Sequence, residues 1–402
     1  MNILFLTLNN INSIHEKTIY TDMLREFINN GHDVYIVSPS ERRNKKSTHI
    51  IEEDICKILK VKVGNIQKTN VVEKGISTVM LERNYKSAII KHLNNIRFDL
   101  ILYSTPPITL VSTIEYLKTR DNAKTYLLLK DIFPQNAVDL GMLSKTGMKR
   151  ILYKYFRNKE KRLYELSDHI GCMSRANVDF ILDHNPEISP NIVEVCPNTI
   201  DPLSVEKDER KIAEIKQKYN IPFNKTVFIY GGNLGKPQGI DFLIECLKSN
   251  KTNEQVYFVI AGSGTEFTKL KSFFDKEKIT NAQLFSHLPK DDYEILANSC
   301  DIGLIFLDKR FTIPNFPSRI LSYMQASMPV LAATDVNTDI GQVIEQGEFG
   351  LWCESSNVEQ FNKKVQQLCC TELRKEMGVN ARRYLENNYT SKNSYKIIME
   401  HF

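Results

Sequence analysis

The chain has 402 residues, 42% of them hydrophobic and 25% charged, with a formal net charge of +5. That length is too great for one ordinary core and suits two α/β domains, and no apolar run approaches the ~18–20 residues that span a bilayer. The surplus of positive charge is too small to imply nucleic acid by itself and suits anionic phosphates or an anionic membrane surface.

The opening "MNILFLTLNN" has no cationic segment and no small-residue cleavage site, so it reads as a buried strand rather than a signal peptide. After it, "DVYIVS", "CKILKVKV", "FDLILYS" and "KTYLLL" read as further strands. Helical patterns lie between several of them, among them Glu16 to Asn30, ended by Gly31, and Arg83 to Ile96. A second series follows with "TVFIYGG", "QVYFVIAGSG", "AQLFSHLP", "DIGLIFLD" and "PVLAAT". Strand–helix alternation of this kind predicts mostly parallel sheets covered on both faces. The two series meet at "CPNTIDP", Cys196 to Pro202, where two prolines flank a polar turn. The domains are therefore expected at 1–200 and 201–389, with a short helical tail, 390–402, that can pack back on the first. In such sheets ligands bind at the carboxyl ends of the strands.

Three turns of the second half suit an anion. "YGGNLGKPQGIDFLIECL" follows a strand and is expected to enter a helix near Gln238. Its Gly231, Gly232 and Gly235 allow close backbone approach, and Lys236 adds a mobile positive charge. "VIAGSGTEFTKL" repeats the pattern with Gly262 and Gly264, although it lacks the GxGxxG spacing of a dinucleotide site. "NFPSRILSYMQASMPVLA" opens a helix that Ser318 is expected to cap, with Arg319 in its first turn as a fork for a diphosphate. For each, the bland alternative is an ordinary βα turn. The eight cysteines form no CxxC pair, which favours reduced thiols in a cytosolic protein, and neither the eight histidines nor the carboxylates show metal-ligand spacing.

In their order and spacing these segments resemble the retaining glycosyltransferases of family four. The carriers are "INNGHDVYIVSP", "VCPNTID", "GGNLGKPQGIDFLI", "FVIAGSGTE", "LPKDDYEILANSCDIGLIFL" and "FPSRILSYMQASMPVLA". "YSTPPIT" and "LLLKDIFPQNAVDLGM" are similar to motifs of bacterial capsule and O-antigen transferases, notably the N-acetyl-L-fucosamine transferases. The resemblance implies the GT-B fold, two Rossmann-like domains facing a central cleft, and transfer from a UDP-sugar to a polyprenyl-diphosphate-linked sugar; with no metal-ligand spacing among the histidines and carboxylates, no divalent ion is expected to be required. It places the donor diphosphate against Gly232, Asn233, Gly235, Lys236 and Gln238, and the nucleobase near Gly262, Gly264 and Leu288. Asn315, Phe316, Ser318, Arg319 and Ser322 complete the donor site, and the acceptor is expected near Asn9, Asn10, Ser104 and Pro106. Many relatives carry two glutamates where this chain has Pro314 and Ser322, and a histidine where it has Lys130.

Retaining transfer in this family demands charge stabilisation on the leaving diphosphate, for which Lys236 and Arg319 are the candidates. Asp131 is the candidate carboxylate for an acceptor hydroxyl, with Lys130 adding charge; the alternative is that Asp131 only holds the turn before "FPQN". The stretch 145–162 carries Lys145, Lys149, Arg150, Lys154, Arg157, Lys159, Lys161 and Arg162 against Glu160, with Met148, Ile151, Leu152, Tyr155 and Phe156 at helical spacing. A basic amphipathic helix of this kind is expected at the inner face of the plasma membrane, Lys149, Arg150, Lys154 and Arg157 leading. The alternative is a helix packed on the sheet with solvated charges. Nucleic acid is not expected, since no binding module accompanies the charges. The absent glutamate pair keeps a second function open, a non-catalytic sugar-nucleotide-binding subunit of a polysaccharide assembly complex.

Overall fold

The computed structural model describes residues 1–53, 55–66, 71–203 and 208–402. It divides into two units, Met1–Asp201 with Ser391–Phe402, and Pro202–Thr390. The first holds strands β1 (Asn2–Leu6), β2 (Asp33–Glu41), β3 (His49–Glu53), β4 (Cys56–Val63), β5 (Leu100–Ser104), β6 (Lys124–Leu129), β7 (His169–Cys172) and β8 (Val193–Val195). They form one sheet in the order β3-β4-β2-β1-β5-β6-β7-β8. Every pairing is parallel except β3 with β4. Ile3, Leu4, Phe5 and Leu6 are all fully buried, as a strand covered on both faces requires.

The second unit holds β9 (Thr226–Asn233), β10 (Val256–Ser263), β11 (Ala282–Phe285), β12 (Ile302–Phe306), β13 (Val330–Thr334) and β14 (Gly350–Glu354). These are all parallel, in the order β11-β10-β9-β12-β13-β14. Strand order reverses between β1 and β5 in one sheet and between β9 and β12 in the other. Such reversal points leave an opening beyond the carboxyl ends of the strands.

The tail helix Ser391–Met399 belongs to the first unit. Tyr395 packs edge-on to Phe27 with ring centroids 4.9 Å apart, and Thr199 and Ser394 share a buried hydroxyl bond of 2.8 Å. Four strands escape the sequence patterning: β3, β7, β8 and β14. β3 is an edge strand rich in charge, β8 has only three residues, and β7 and β14 carry glycines at close contacts. A Cβ on Gly171 of β7 would meet that of Cys196 at 2.5 Å, so glycine there serves packing rather than a turn.

Candidate functional site

β9 and β12 pair only at Phe228–Ile302 and Ile229–Gly303, and then diverge. The hydroxyl of Tyr323 fills the divergence, 3.2 Å from the Ile229 carbonyl and 3.1 Å from that of Leu304. Gly303 has to be glycine for this, because a Cβ there would lie 2.3 Å from the Tyr323 ring. Beyond the divergence opens a recess of about 290 Å³ lined by Gly231, Gly232, Gln238, Phe306, Leu307, Asn315, Pro317, Ser318 and Arg319. Gly232 has φ +129, a conformation that keeps side chains away from the mouth of the recess.

Arg319 supplies the recess with positive charge. Its guanidinium carbon stands 4.2 Å from the centre of the Tyr230 ring, a cation–π seat that holds the fork in place. Its Nη1 is buried and has no hydrogen-bond partner among the described residues. A buried charged donor left unsatisfied is costly in a folded chain and is suited to receive an anion. Tyr230 also ties the fork to the glycine turn, since its hydroxyl donates to the Asn233 carbonyl at 2.7 Å. Both tyrosines lie inside apolar or helical runs, where sequence reasoning reads core; an aromatic just before "GG" and another four residues after "SR" is the signal that was there to find.

The glycine turn differs from its expected form. Lys236–Gln238 is a short 3-10 turn, Gly239 follows at φ +52, and the helix proper is Ile240–Ser249. Pro237 sits in the first turn, where it is tolerated, and the left-handed Gly239 interrupts the helix that was expected near Gln238. The Gln238 side chain accepts from the Gly235 amide and from Asn233 Nδ2, both at 3.1 Å, so these two side chains brace the loop. Lys236 is exposed and outside the lining, so Arg319 is the charge the recess itself presents.

Ser318 does not cap its helix. The helix is Arg319–Gln325, and Ser318 already has helical φ −63 and ψ −13 in place of the extended backbone of a capping residue, with no side-chain bond to the first-turn amides. Asn315 lends its carbonyl to the Thr338 hydroxyl at 2.7 Å, while Phe316 is 6% exposed and packs near Tyr389. Pro314 is buried and Ser322 exposed. Gly262 and Gly264 have a packing reason: Cβ atoms there would meet the Gly232 carbonyl at 1.8 Å and the Leu234 carbonyl at 2.3 Å. Leu288 is partly exposed, beyond β11.

In the first unit the expected acceptor residues gather at the β1–β5 reversal. Asn9 and Asn10 are exposed, as is Pro106. Ser104 is 2% exposed and points its hydroxyl to Thr7, which closes it to a ligand. Asp131 follows β6, and Asn136 Nδ2 reaches both of its oxygens, at 2.7 and 2.9 Å. Burial raises its pKa to about 6, against the lowering bonds from Asn136 and the Ile132 amide. Asp131 therefore holds the turn and is also poised for proton exchange near neutrality. Thr105 secures it by accepting from the Lys130 and Asp131 amides at 3.0 and 3.3 Å. Lys130 is corrected: its ammonium donates to the Cys196 carbonyl at 2.8 Å, and burial lowers its pKa. It braces the chain at Cys196 rather than a ligand.

The basic helix runs Lys149–Leu166 and divides into two stretches. In its second half the charges are neutralised: Arg157 pairs with Glu160 and the Asn185 side chain, Lys159 with Glu82, Lys161 with Glu187, and Arg162 with Glu115 and Glu165. Arg157 is thereby removed from the membrane set. The start of the helix differs, with Met148 93% and Ile151 78% exposed, and with Leu152 and Tyr155 also exposed beside Lys149, Arg150 and Lys154. Among the described residues no helix is long and apolar enough to cross a membrane.

Residues 211–384, all in the second unit, match the family model of glycosyl transferases group 1. The chain is 25% identical over 300 residues to "Probable glycosyltransferase WbjE" of Pseudomonas aeruginosa, covering 73% of this chain and 72% of that one. It is 20% identical over 248 residues, 61% of this chain and 60% of the relative, to WcaI of Escherichia coli (strain K12), whose name ties it to colanic acid biosynthesis. Among solved structures, Anabaena Alr3699/HepE in complex with UDP and glucose superposes with a TM-score of 0.72 at 14% identity, over 100% of this chain and 99% of that one. The fold is GT-B.

Proposed function

We propose that this group 1 glycosyltransferase of GT-B fold moves a sugar from a UDP-sugar to a lipid-linked oligosaccharide in the assembly of a bacterial surface polysaccharide, with retention of configuration. The observation that carries the reading is the recess at the β9–β12 reversal, where the Arg319 fork has a buried donor without a partner among the described residues. The UDP held by the Anabaena neighbour and the colanic acid name of the Escherichia coli relative support the substrate classes.

The residues act as follows in this reading. The diphosphate lies against the glycine turn and takes hydrogen bonds from Arg319 and backbone amides. As the bond from the anomeric carbon to the phosphate oxygen breaks, the acceptor oxygen bonds the same face of that carbon, and its proton passes to the leaving phosphate. Charge gathers on the leaving group, and a preset guanidinium on an aromatic seat meets it without reorganising. Arg319 does the work for which a divalent ion would otherwise serve, so none is required. Pro314 and Ser322 offer no carboxylate to sugar or ribose hydroxyls, which suits an N-acetylated 6-deoxyhexosamine such as N-acetyl-L-fucosamine, a donor with fewer hydroxyls to grip. Asp131 orients the acceptor hydroxyl in the first unit. The enzyme works at the cytoplasmic leaflet, held there by the Met148–Tyr155 surface.

The test is a panel of UDP- and GDP-sugars scored first by thermal stabilisation, since a ligand that binds only the folded chain raises its melting temperature. Turnover with a polyprenyl-diphosphate-linked acceptor follows. Arg319→Ala is expected to cut kcat/KM by about 100-fold or more, about 3 kcal/mol of transition-state stabilisation. Donor binding with no transfer to any acceptor would instead support a non-catalytic sugar-nucleotide-binding subunit.

A further inference from the structure

Lys60 lies on β4, 3% exposed and level with Ser38 of β2 in the parallel register. Its ammonium donates to Asn10 Oδ1 at 2.6 Å, to the Ile11 carbonyl at 2.8 Å and to the Ser38 hydroxyl at 3.1 Å. The Ser38 hydroxyl in turn donates to the Asn9 carbonyl at 2.8 Å and accepts the Ile11 amide at 2.9 Å. One cation and one hydroxyl, both from strands beyond β1, thus fasten the whole Asn9–Ile11 segment.

The arrangement is unusual in its chemistry. All three ammonium donors are spent on neutral oxygens, and a buried ammonium whose bonded partners carry no compensating charge is expensive. A threonine or glutamine could tie down a loop at lower cost. The segment it holds follows β1, at the sheet's reversal point, where an α/β sheet receives its ligand.

We propose that Lys60 is a positioning residue for the acceptor: it holds the Asn9–Ile11 segment in the shape that the acceptor meets, and its positive charge stands behind that surface. This rests on the reading above that the segment receives the acceptor. Burial lowers the Lys60 pKa to about 8, Glu16 acting to raise it and Lys46 to lower it. His49 is its partner across the β3 register, and Tyr85, from the helix Val71–His92, donates its hydroxyl to the Thr7 carbonyl just before the segment. Below pH ~8 the ammonium is intact with three bonds. Above it the neutral amine retains two donors and one tie is lost.

The experiment compares the full chain with Lys60→Met and Asn10→Ala. Amide hydrogen exchange at Ile11 is expected to speed up tenfold or more in Lys60→Met, with strand amides of the second unit unchanged. With an alkyl-diphosphate-linked saccharide as acceptor, the acceptor KM is expected to rise at least tenfold and the donor KM to stay within twofold. In the native chain the acceptor KM rises above pH ~8, whereas in Lys60→Met it is flat with pH. Unchanged exchange at Ile11 overturns the role of Lys60, and so does a Lys60→Met acceptor KM within twofold of the native value when Asn10→Ala raises it. If exchange speeds up but Asn10→Ala leaves the acceptor KM unchanged, Lys60 still positions the segment and the acceptor reading is what fails.

Discussion

Arg319 was visible in the sequence because a cation directly after Pro-Ser at a helix start has few other uses. What makes it effective was not visible. Tyr230 comes from a strand 89 positions earlier in the chain, and its ring and hydroxyl join the fork to the glycine turn. Aromatic residues in a strand announce burial, and only the folded chain shows which of them also carry a contact to a charge. Lys130 illustrates the opposite error: its place beside Asp131 suggested a shared role, yet its side chain runs to Cys196. Asp131 yields a prediction at this scale. If its ionised form assists the acceptor hydroxyl, kcat/KM falls as pH drops through about 6, and Asp131→Asn loses both that limb and at least tenfold of activity. The sign for stability is opposite. A folded pKa raised above the usual ~3.9 means that stability is fullest at low pH and is lost as pH rises through the window between ~4 and ~6. The Asn variant therefore melts no lower than the native chain at pH 7.5, a result that thermal unfolding will check.

At the scale of elements, the long strands and the amphipathic helices followed from periodicity and apolar runs. β3, β7, β8 and β14 did not, because a strand of three to five residues with glycine or charge in it has no pattern to read. The helix Lys149–Leu166 shows where patterning stops being informative. Eight basic residues against one acid over the stretch 145–162 looked like a single charged face, yet the second half of the helix pairs with Glu82, Glu115 and Glu187, which are distant in sequence. The apolar residues that matter are those that find no core. Met148 and Ile151, 93% and 78% exposed, with Lys149, Arg150 and Lys154 alongside, form the surface expected to enter the leaflet boundary. Sedimentation with vesicles containing about 30% anionic lipid will check this. Met148→Glu with Ile151→Glu is expected to weaken binding tenfold or more, whereas Arg157→Gln changes it less than twofold because Arg157 is already paired.

At the scale of the whole molecule, the proposed mechanism draws the charge for the leaving group from Arg319 and backbone amides, which leads to a prediction about metals. Treatment with excess EDTA is expected to leave transfer within twofold, and added Mg²⁺ or Mn²⁺ to leave the donor KM unchanged; activity restored only by a divalent ion would contradict the role given to Arg319. Two α/β series, their order, the proline-flanked join between them and the three anion-friendly turns were all set by local pattern: apolar runs of strand length, helical spacing, and glycine or proline where the backbone must bend. Those properties act over a few residues, so the sequence carries them openly. The topology of the second sheet, which puts β9 beside β12, was decided only by tertiary packing. So were the aromatic seat beneath Arg319, the buried ammonium of Lys60 under Asn10, and the neutralised half of the basic helix. Each joins groups tens of residues apart, and its energy depends on burial, distance and the loss of water, none of which exists until the chain has folded.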